Sequence, residues 1–165
     1  MALFLNQFKF YCVMQKVIVM CGFPRCGKTT YTKEQLQDYI RVSFDDIAEM
    51  MTGKFKIEYA KLYEEIEKLI IDKLIAKKLN IVIDRTSLTR NSRKQIRNKI
   101  INAAKKANLP APFLTLTVVQ SPLDICTQRN IQTQKVPPGI FRKMIKSYEE
   151  PTYDERWDEI KFISL

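Results

Sequence analysis

The segment Gly22-Phe23-Pro24-Arg25-Cys26-Gly27-Lys28-Thr29 satisfies GxxxxGK[ST] at every fixed position, directly after an apolar run and at the start of a polar-faced helix. Residues so arranged hold phosphate. The loop amides converge on phosphate oxygens and the helix N-terminus adds the positive end of its dipole. Lys28 reaches the β- and γ-phosphates, and the Thr29 hydroxyl ligates Mg²⁺. Thr30 carries the pattern one residue into the helix. Two of the chain's four glycines stand in this loop, and an ordinary strand-to-helix turn has no need of Lys-Thr after the second. The loop therefore predicts nucleotide binding through Gly22, Phe23, Pro24, Arg25, Cys26, Gly27, Lys28, Thr29 and Thr30.

Acids and bases for chemistry on that phosphate are few. The chain has no His, so proton transfer falls to a carboxylate, Lys, Tyr or Cys, and a zinc site is excluded. Asp45 and Asp46 follow a predicted strand, where an Asp faces the ligand crevice of a doubly wound sheet. Asp45 is the candidate base for an attacking hydroxyl. The competing reading is an N-cap, which weighs more for Asp46. Asp84 ends the apolar run Asn80-Ile81-Val82-Ile83, where an acid holds Mg²⁺ directly or through water; a structural ion pair with Arg85 is the alternative. Arg129, with Lys135 beyond it, reads as a cation that folds over transferring phosphate, or as a solvated surface Arg. Cys26 reads as a thiol with a lowered pKa or as a small filler.

Apolar patterning supplies the elements that must position these groups. Lys16 to Cys21 is a strand buried on both faces. Further strands are predicted at Ile40 to Phe44, Ile81 to Asp84, Phe113 to Val119 and Ile160 to Ser164. Helices alternate with them: one after the loop, Asp45 to Met51, Ile57 to Lys78, Asn91 to Ala107, and stretches near Leu123 to Ile131 and Pro138 to Glu149. Tyr59, Leu62, Tyr63, Ile66, Leu69, Ile70 and Leu74 give the long helix one apolar stripe. Such alternation implies an α/β fold with a mainly parallel sheet covered on both sides.

At 165 residues, with 45% apolar and 28% charged residues, the chain suits one folded domain. Residues 14 to 165 read as that domain. Residues 1 to 13 read as an N-terminal extension or an upstream start, with an added edge strand, Phe8 to Val13, as the alternative. The apolar start has neither a basic leader nor a small-residue cleavage site. No stretch reaches the roughly 18 uninterrupted apolar residues of a membrane span, so no membrane partner is expected. Cys12, Cys21, Cys26 and Cys126 form no CxxC pair and read as reduced thiols of a cytoplasmic protein.

Lys and Arg number 28 against 18 Asp and Glu, a formal net charge of +10 with a pI near 9.5, which favours polyanionic partners. From Arg85 to Leu123 there is no acid, while Arg85, Arg90, Arg93, Lys94, Arg97, Lys99, Lys105 and Lys106 are basic. The stretch is either a track for a phosphate backbone or the solvated face of a helix whose Ile96, Ile100, Ala103, Ala104 and Ala107 meet the core.

From Met14 onward the chain resembles the P-loop polynucleotide 5′-hydroxyl kinases, the kinase domain of phage and bacterial RNA-repair enzymes and their small stand-alone relatives. The resemblance is carried by GFPRCGKTT, VSFDD, NIVIDRTSLTRNSRK, QRNIQTQKVP and YEEPTYDERWDEI, and above all by their order. It implies a P-loop NTPase-type three-layer sandwich with a helical lid. It implies that Lys28 and Thr29 act on ATP and Mg²⁺, that Asp45 activates a 5′-hydroxyl, that Arg129 is a lid arginine, and that a nucleic acid 5′ end is the partner. Two positions depart from the family pattern. Ala48 stands where an Arg three residues after the base contacts substrate phosphate, and Thr133 where a second lid Arg is expected. Lys135, Arg90 and Arg93 are the candidates to compensate. A small-molecule kinase on the same fold, and a nucleotide-dependent binding module without transfer, remain the alternative readings.

Overall fold

The computed structural model describes residues 14–165, so the expected extension and its edge strand, Phe8 to Val13, lie outside the described residues. The described residues build one sheet from β1 (Lys16–Cys21), β2 (Ile40–Ser43), β3 (Ile81–Asp84), β4 (Phe113–Gln120) and β5 (Glu159–Ser164), in the order β2-β3-β1-β4-β5. Every neighbouring pair runs parallel. A parallel sheet must be covered on both faces, and β1 shows why these residues comply. Val17, Val19 and Cys21 enter one buried cluster, while Ile18 and Met20 enter the opposite one.

The first face is covered by α3 (Ala60–Ala76) and α4 (Arg90–Lys106), through Ile71, Ile75, Ile96, Ile100 and Ala103. The second is covered by α1 (Lys28–Gln35), α5 (Leu123–Thr133) and α6 (Pro138–Lys146), through Tyr31, Cys126 and Phe141. A smaller cluster, Ile47, Ala48 and Tyr63, seats α2 (Phe44–Thr52) on α3. The result is the expected three-layer P-loop fold, with α5 and α6 in the place of the lid.

β1 lies at the point where the chain order reverses between β3 and β4, and its C-terminal end delivers the loop of Gly22 to Lys28. That end of such a switch point is where α/β sheets hold ligands.

Two boundaries differ from expectation for local reasons. β2 stops at Ser43 because the Ser43 hydroxyl accepts the Asp46 amide at 3.3 Å, which caps α2 and starts the helix at Phe44. The long helix begins as a separate 3₁₀ turn, Ile57–Tyr59, and α3 proper follows. Its buried row is Tyr63, Glu67, Ile71 and Ile75, spaced i,i+4, whereas Tyr59, Leu62 and Leu69 are exposed. Of the expected stripe, Tyr63 is buried and Ile66, Ile70 and Leu74 flank the row, packed against the core, with the charged Glu67 at the row's centre.

Candidate active site

The phosphate loop takes its shape from two glycines. Gly22 has φ +149°, and a Cβ there would lie 2.6 Å from the Val119 carbonyl oxygen and 2.8 Å from Cys26 Sγ. Gly27 caps α1 with φ +101°. Both conformations favour residues without a Cβ. Arg25 is also left-handed, at φ +69°, and its Nε is buried without a protein partner. The loop is tied to its neighbours by the Gly22 amide donating to Thr86 O at 2.9 Å and by Ser121 Oγ donating to Cys26 O at 2.8 Å.

Lys28 is buried, with Nζ donating to Gly22 O at 3.0 Å and Phe23 O at 2.7 Å and lying 3.6 Å from Cys26 Sγ. The ammonium is thus folded onto the carbonyls of the loop it belongs to. Cys26 is fully buried and packs with Met20, Val119 and Cys126. Burial pushes the nearby Cys21 thiol up to about 11 against the pull of the Arg93 and Lys28 charges, so it stays neutral at pH 7.

Asp84 meets the loop across the sheet. Thr29 Oγ1 donates to Asp84 Oδ2 at 2.9 Å, which brings together the two residues read from the sequence as metal-holding. The same oxygen accepts Arg41 Nε at 2.8 Å, and Arg41 also pairs with Asp46. The cation on Asp84 is therefore Arg41 from β2; Arg85, its sequence neighbour, pairs with Glu67 at 3.0 Å. Asp84 Oδ1 accepts no protein hydrogen bond among the described residues. Burial tends to raise the Asp46 carboxyl, but the Arg41 hydrogen bond and charge outweigh it and hold it below the usual carboxylate range.

The cap of α2 is Ser43, not an Asp, and Asp46 is occupied as the ion-pair partner of Arg41 and the acceptor of the Ser43 hydroxyl. Asp45 is not: it is exposed in the first turn of α2 and has no hydrogen-bond partner among the described residues. Arg129 sits exposed on α5, with Nη1 donating to Arg25 O at 3.2 Å, so the lid reaches the phosphate loop at this residue. Thr133 bonds back to Arg129 O at 2.8 Å and Lys135 is exposed.

The basic stretch is largely paired within the protein. Arg90 pairs with Asp154, Arg97 donates to Arg156 O, Lys99 to Glu67 and Lys106 to Asp72. Arg93 is fully buried, with Nε and Nη2 on the Glu155 carboxylate at 2.7 Å each and Nη1 on the carbonyls of Ser87, Leu88 and Glu149. It holds the β3–α4 loop to the segment after α6 and is out of reach of a substrate. Arg41 and Glu67 had no signal in the sequence: they act on residues 43 and 18 positions away, brought together by the β2–β3 register for Arg41 and by the packing of α3 for Glu67.

The donors present suit the ligands expected of the loop. Thr29 and Asp84 offer hard oxygen atoms, which fit Mg²⁺, and the unpartnered buried Arg25 Nε beside the loop amides fits an anion. A family model for an AAA domain, AAA_33, matches residues 17–151. The chain belongs to this family.

Solved structures share its P-loop kinase fold. In the Pnkp1/Rnl/Hen1 RNA repair complex the match has a TM-score of 0.67 at 17% identity, covering 81% of this chain and 44% of the other. This AAA-family chain thus spans less than half of that relative. A protein assigned as a kinase from Chloroflexus aurantiacus matches with a TM-score of 0.68 at 12% identity, over 92% of this chain and 86% of the other. A gluconokinase from Sinorhizobium meliloti matches with a TM-score of 0.57 at 16% identity, over 92% and 83%. At such identities the likeness is one of fold. No helix of the described residues is long and apolar enough to cross a membrane.

Proposed function

We propose that this chain transfers the γ-phosphoryl of ATP to an alcohol, with the 5′-hydroxyl of DNA or RNA as acceptor. The observation that carries the reading is the meeting of Thr29 with Asp84 beside the loop of Lys28, one strand away from an exposed, unpartnered Asp45. Phosphoryl transfer asks little covalent chemistry of the protein and much positioning of charge.

In this reading the loop amides and Lys28 bind the triphosphate, with Lys28 turning from the Gly22 and Phe23 carbonyls to the phosphate oxygens. Thr29 and Asp84 hold Mg²⁺, which when bound screens the phosphate charge. Arg41 holds the Asp84 carboxylate in place against Thr29. Asp45 accepts the proton of the acceptor hydroxyl as its oxygen bonds to the γ-phosphorus, and the bond to the β-bridging oxygen breaks to release ADP. Arg129 steadies the charge on the transferring group from the lid side.

The test is transfer of labelled γ-phosphate from ATP, with Mg²⁺, to a 5′-hydroxyl oligonucleotide, beside the same strand already 5′-phosphorylated. Label enters only the 5′-hydroxyl strand, and Asp45→Ala lowers the rate about 10²- to 10⁴-fold while ATP affinity holds. Equal labelling of both strands, or an Asp45→Ala variant as fast as wild type, would exclude it. A small-molecule alcohol is the second reading, favoured by the internal pairing of most of the basic stretch; it predicts ATP binding with no labelled oligonucleotide and transfer to a small polyol.

A further inference from the structure

Against the segment that joins β3 to α4, between α3, α4 and α6, lies a cavity of about 610 Å³, within the ordinary size of ligand sites. Its floor is the segment after Asp84, including Arg85, Thr86 and Ser87, and its walls include Lys68 and Lys99. Glu64 is the lone acid of its lining; the rest is mostly hydroxyls and side-chain amides.

Two features suit it to an anion. Behind the wall, one oxygen of the fully buried Glu67 takes both Arg85 Nη1 and Lys99 Nζ at 3.0 Å, so two cations share one negative charge. Arg85 lies 4.3 Å over the Phe44 ring and uses only Nη1 on protein among the described residues, leaving the rest of its fork of donors free.

The cavity is next to the reacting centre. Ser43 pairs with Asp84 in register, so Phe44 and Asp45 leave β2 where Arg85 and Thr86 leave β3, and Thr86 O holds the Gly22 amide of the phosphate loop.

We infer that this cavity holds the acceptor, a hydroxyl-bearing molecule with a phosphate-type anion, and that Arg85 reads the anion. This rests on the transfer reading for the word acceptor; the binding site itself does not. The anion has two sources, the first phosphodiester of a nucleic acid end or the phosphate of a free sugar.

Titration calorimetry with a non-hydrolysable ATP analogue and Mg²⁺ present distinguishes them. The probes are the 5′-hydroxyl dinucleotide TpT, its uncharged methylphosphonate analogue, and ribose 5-phosphate. Wild type is expected to bind TpT about tenfold or more tightly than the methylphosphonate, or else to bind ribose 5-phosphate in preference, according to the source. Arg85→Gln loses that preference.

Charged and uncharged probes binding alike, with no ribose 5-phosphate bound, would overturn the inference, as would an Arg85→Gln variant with wild-type affinities. Probe binding that depends on Arg85 without any transfer from ATP removes the kinase reading and leaves the site. Transfer indifferent to Arg85 does the reverse.

Discussion

Arg93 is the largest of the fully buried side chains, and every one of its nitrogens is engaged with Glu155 or with carbonyls of Ser87, Leu88 and Glu149. Removing one partner of a buried pair leaves the other charge uncompensated, so Arg93→Met should lower the unfolding free energy by about 3–5 kcal/mol, read from a urea midpoint. Replacing Glu155 with Gln in the same chain should cost less than the two single changes summed, since the second change removes the orphaned charge. The pair also has a pH signature. Burial pushes the Glu155 carboxyl up, but the Arg93 hydrogen bond and charge and the Thr152 amide outweigh it, so its folded pKa lies below the ordinary 4.5. A carboxyl lowered on folding contributes stability that is complete above the unfolded pKa and is lost as pH falls through the folded one. Urea midpoints measured from pH 6 down to pH 3 should therefore drop more steeply below about pH 4.5 in wild type than in Glu155→Gln. Equal slopes would mean that Arg93 does not hold the carboxylate.

At the scale of elements, turns and caps decide where each functional residue stands. Thr89 caps α4 through a reciprocal pair, its hydroxyl taking the Ser92 amide at 3.0 Å while Ser92 Oγ takes the Thr89 amide at 3.2 Å. Thr89→Ala should cost about 1 kcal/mol and, because the same turn walls the cavity, should loosen ligand binding there as well. Gly22 and Gly53 separate steric from conformational cost. Both are left-handed, but a Cβ at Gly53 meets nothing within 4 Å whereas one at Gly22 strikes the Val119 carbonyl. Gly53→Ala should lose about 1 kcal/mol in a thermal melt, and Gly22→Ala clearly more, with ATP affinity lost alongside. The elements themselves were legible in the sequence because period and punctuation are local properties: β1, the loop and α1 fall where Lys16 to Thr30 require them. Asp45, Asp84 and Lys28 were legible for the same reason, each standing at the end of a strand or start of a helix. What escaped was pairing at a distance. Glu67 sits in an apolar row only because Arg85 and Lys99 reach it, and Asp84 pairs with Arg41 across two strands rather than with the adjacent Arg85. A strand pattern carries no information about which cation ends up beside which acid.

For the molecule as a whole, a net charge of +10 invites the picture of a basic surface that grips a long polyanion. The disposition of the charges favours a narrower grip. Of the eight cations between Arg85 and Leu123, Arg85, Arg90, Arg93, Lys99 and Lys106 are paired with acids and Arg97 with a carbonyl, leaving Lys94 and Lys105 without partners among the described residues. A cation matched one to one with a carboxylate adds little net charge against a phosphate, whereas Arg85 and Lys99 share the single charge of Glu67 and leave one positive charge over. The dependence of binding on salt reports directly how many phosphates a protein neutralises, at about 0.7 per phosphate for single strands. A 5′ end held by Arg85 and one or two cations nearby should give a slope of log affinity against log salt of about −1 to −2, unchanged when the oligonucleotide is lengthened beyond a few nucleotides. A backbone track along α4 would instead give about −4 or steeper, growing with strand length, and Lys94→Gln with Lys105→Gln would flatten it. Titrating a fluorescent 5′-hydroxyl strand of two lengths over a range of salt concentrations discriminates the two. A shallow, length-independent slope means that this chain reads the end of its partner and ignores the rest, which is the behaviour expected of a kinase whose chemistry is confined to one terminal hydroxyl.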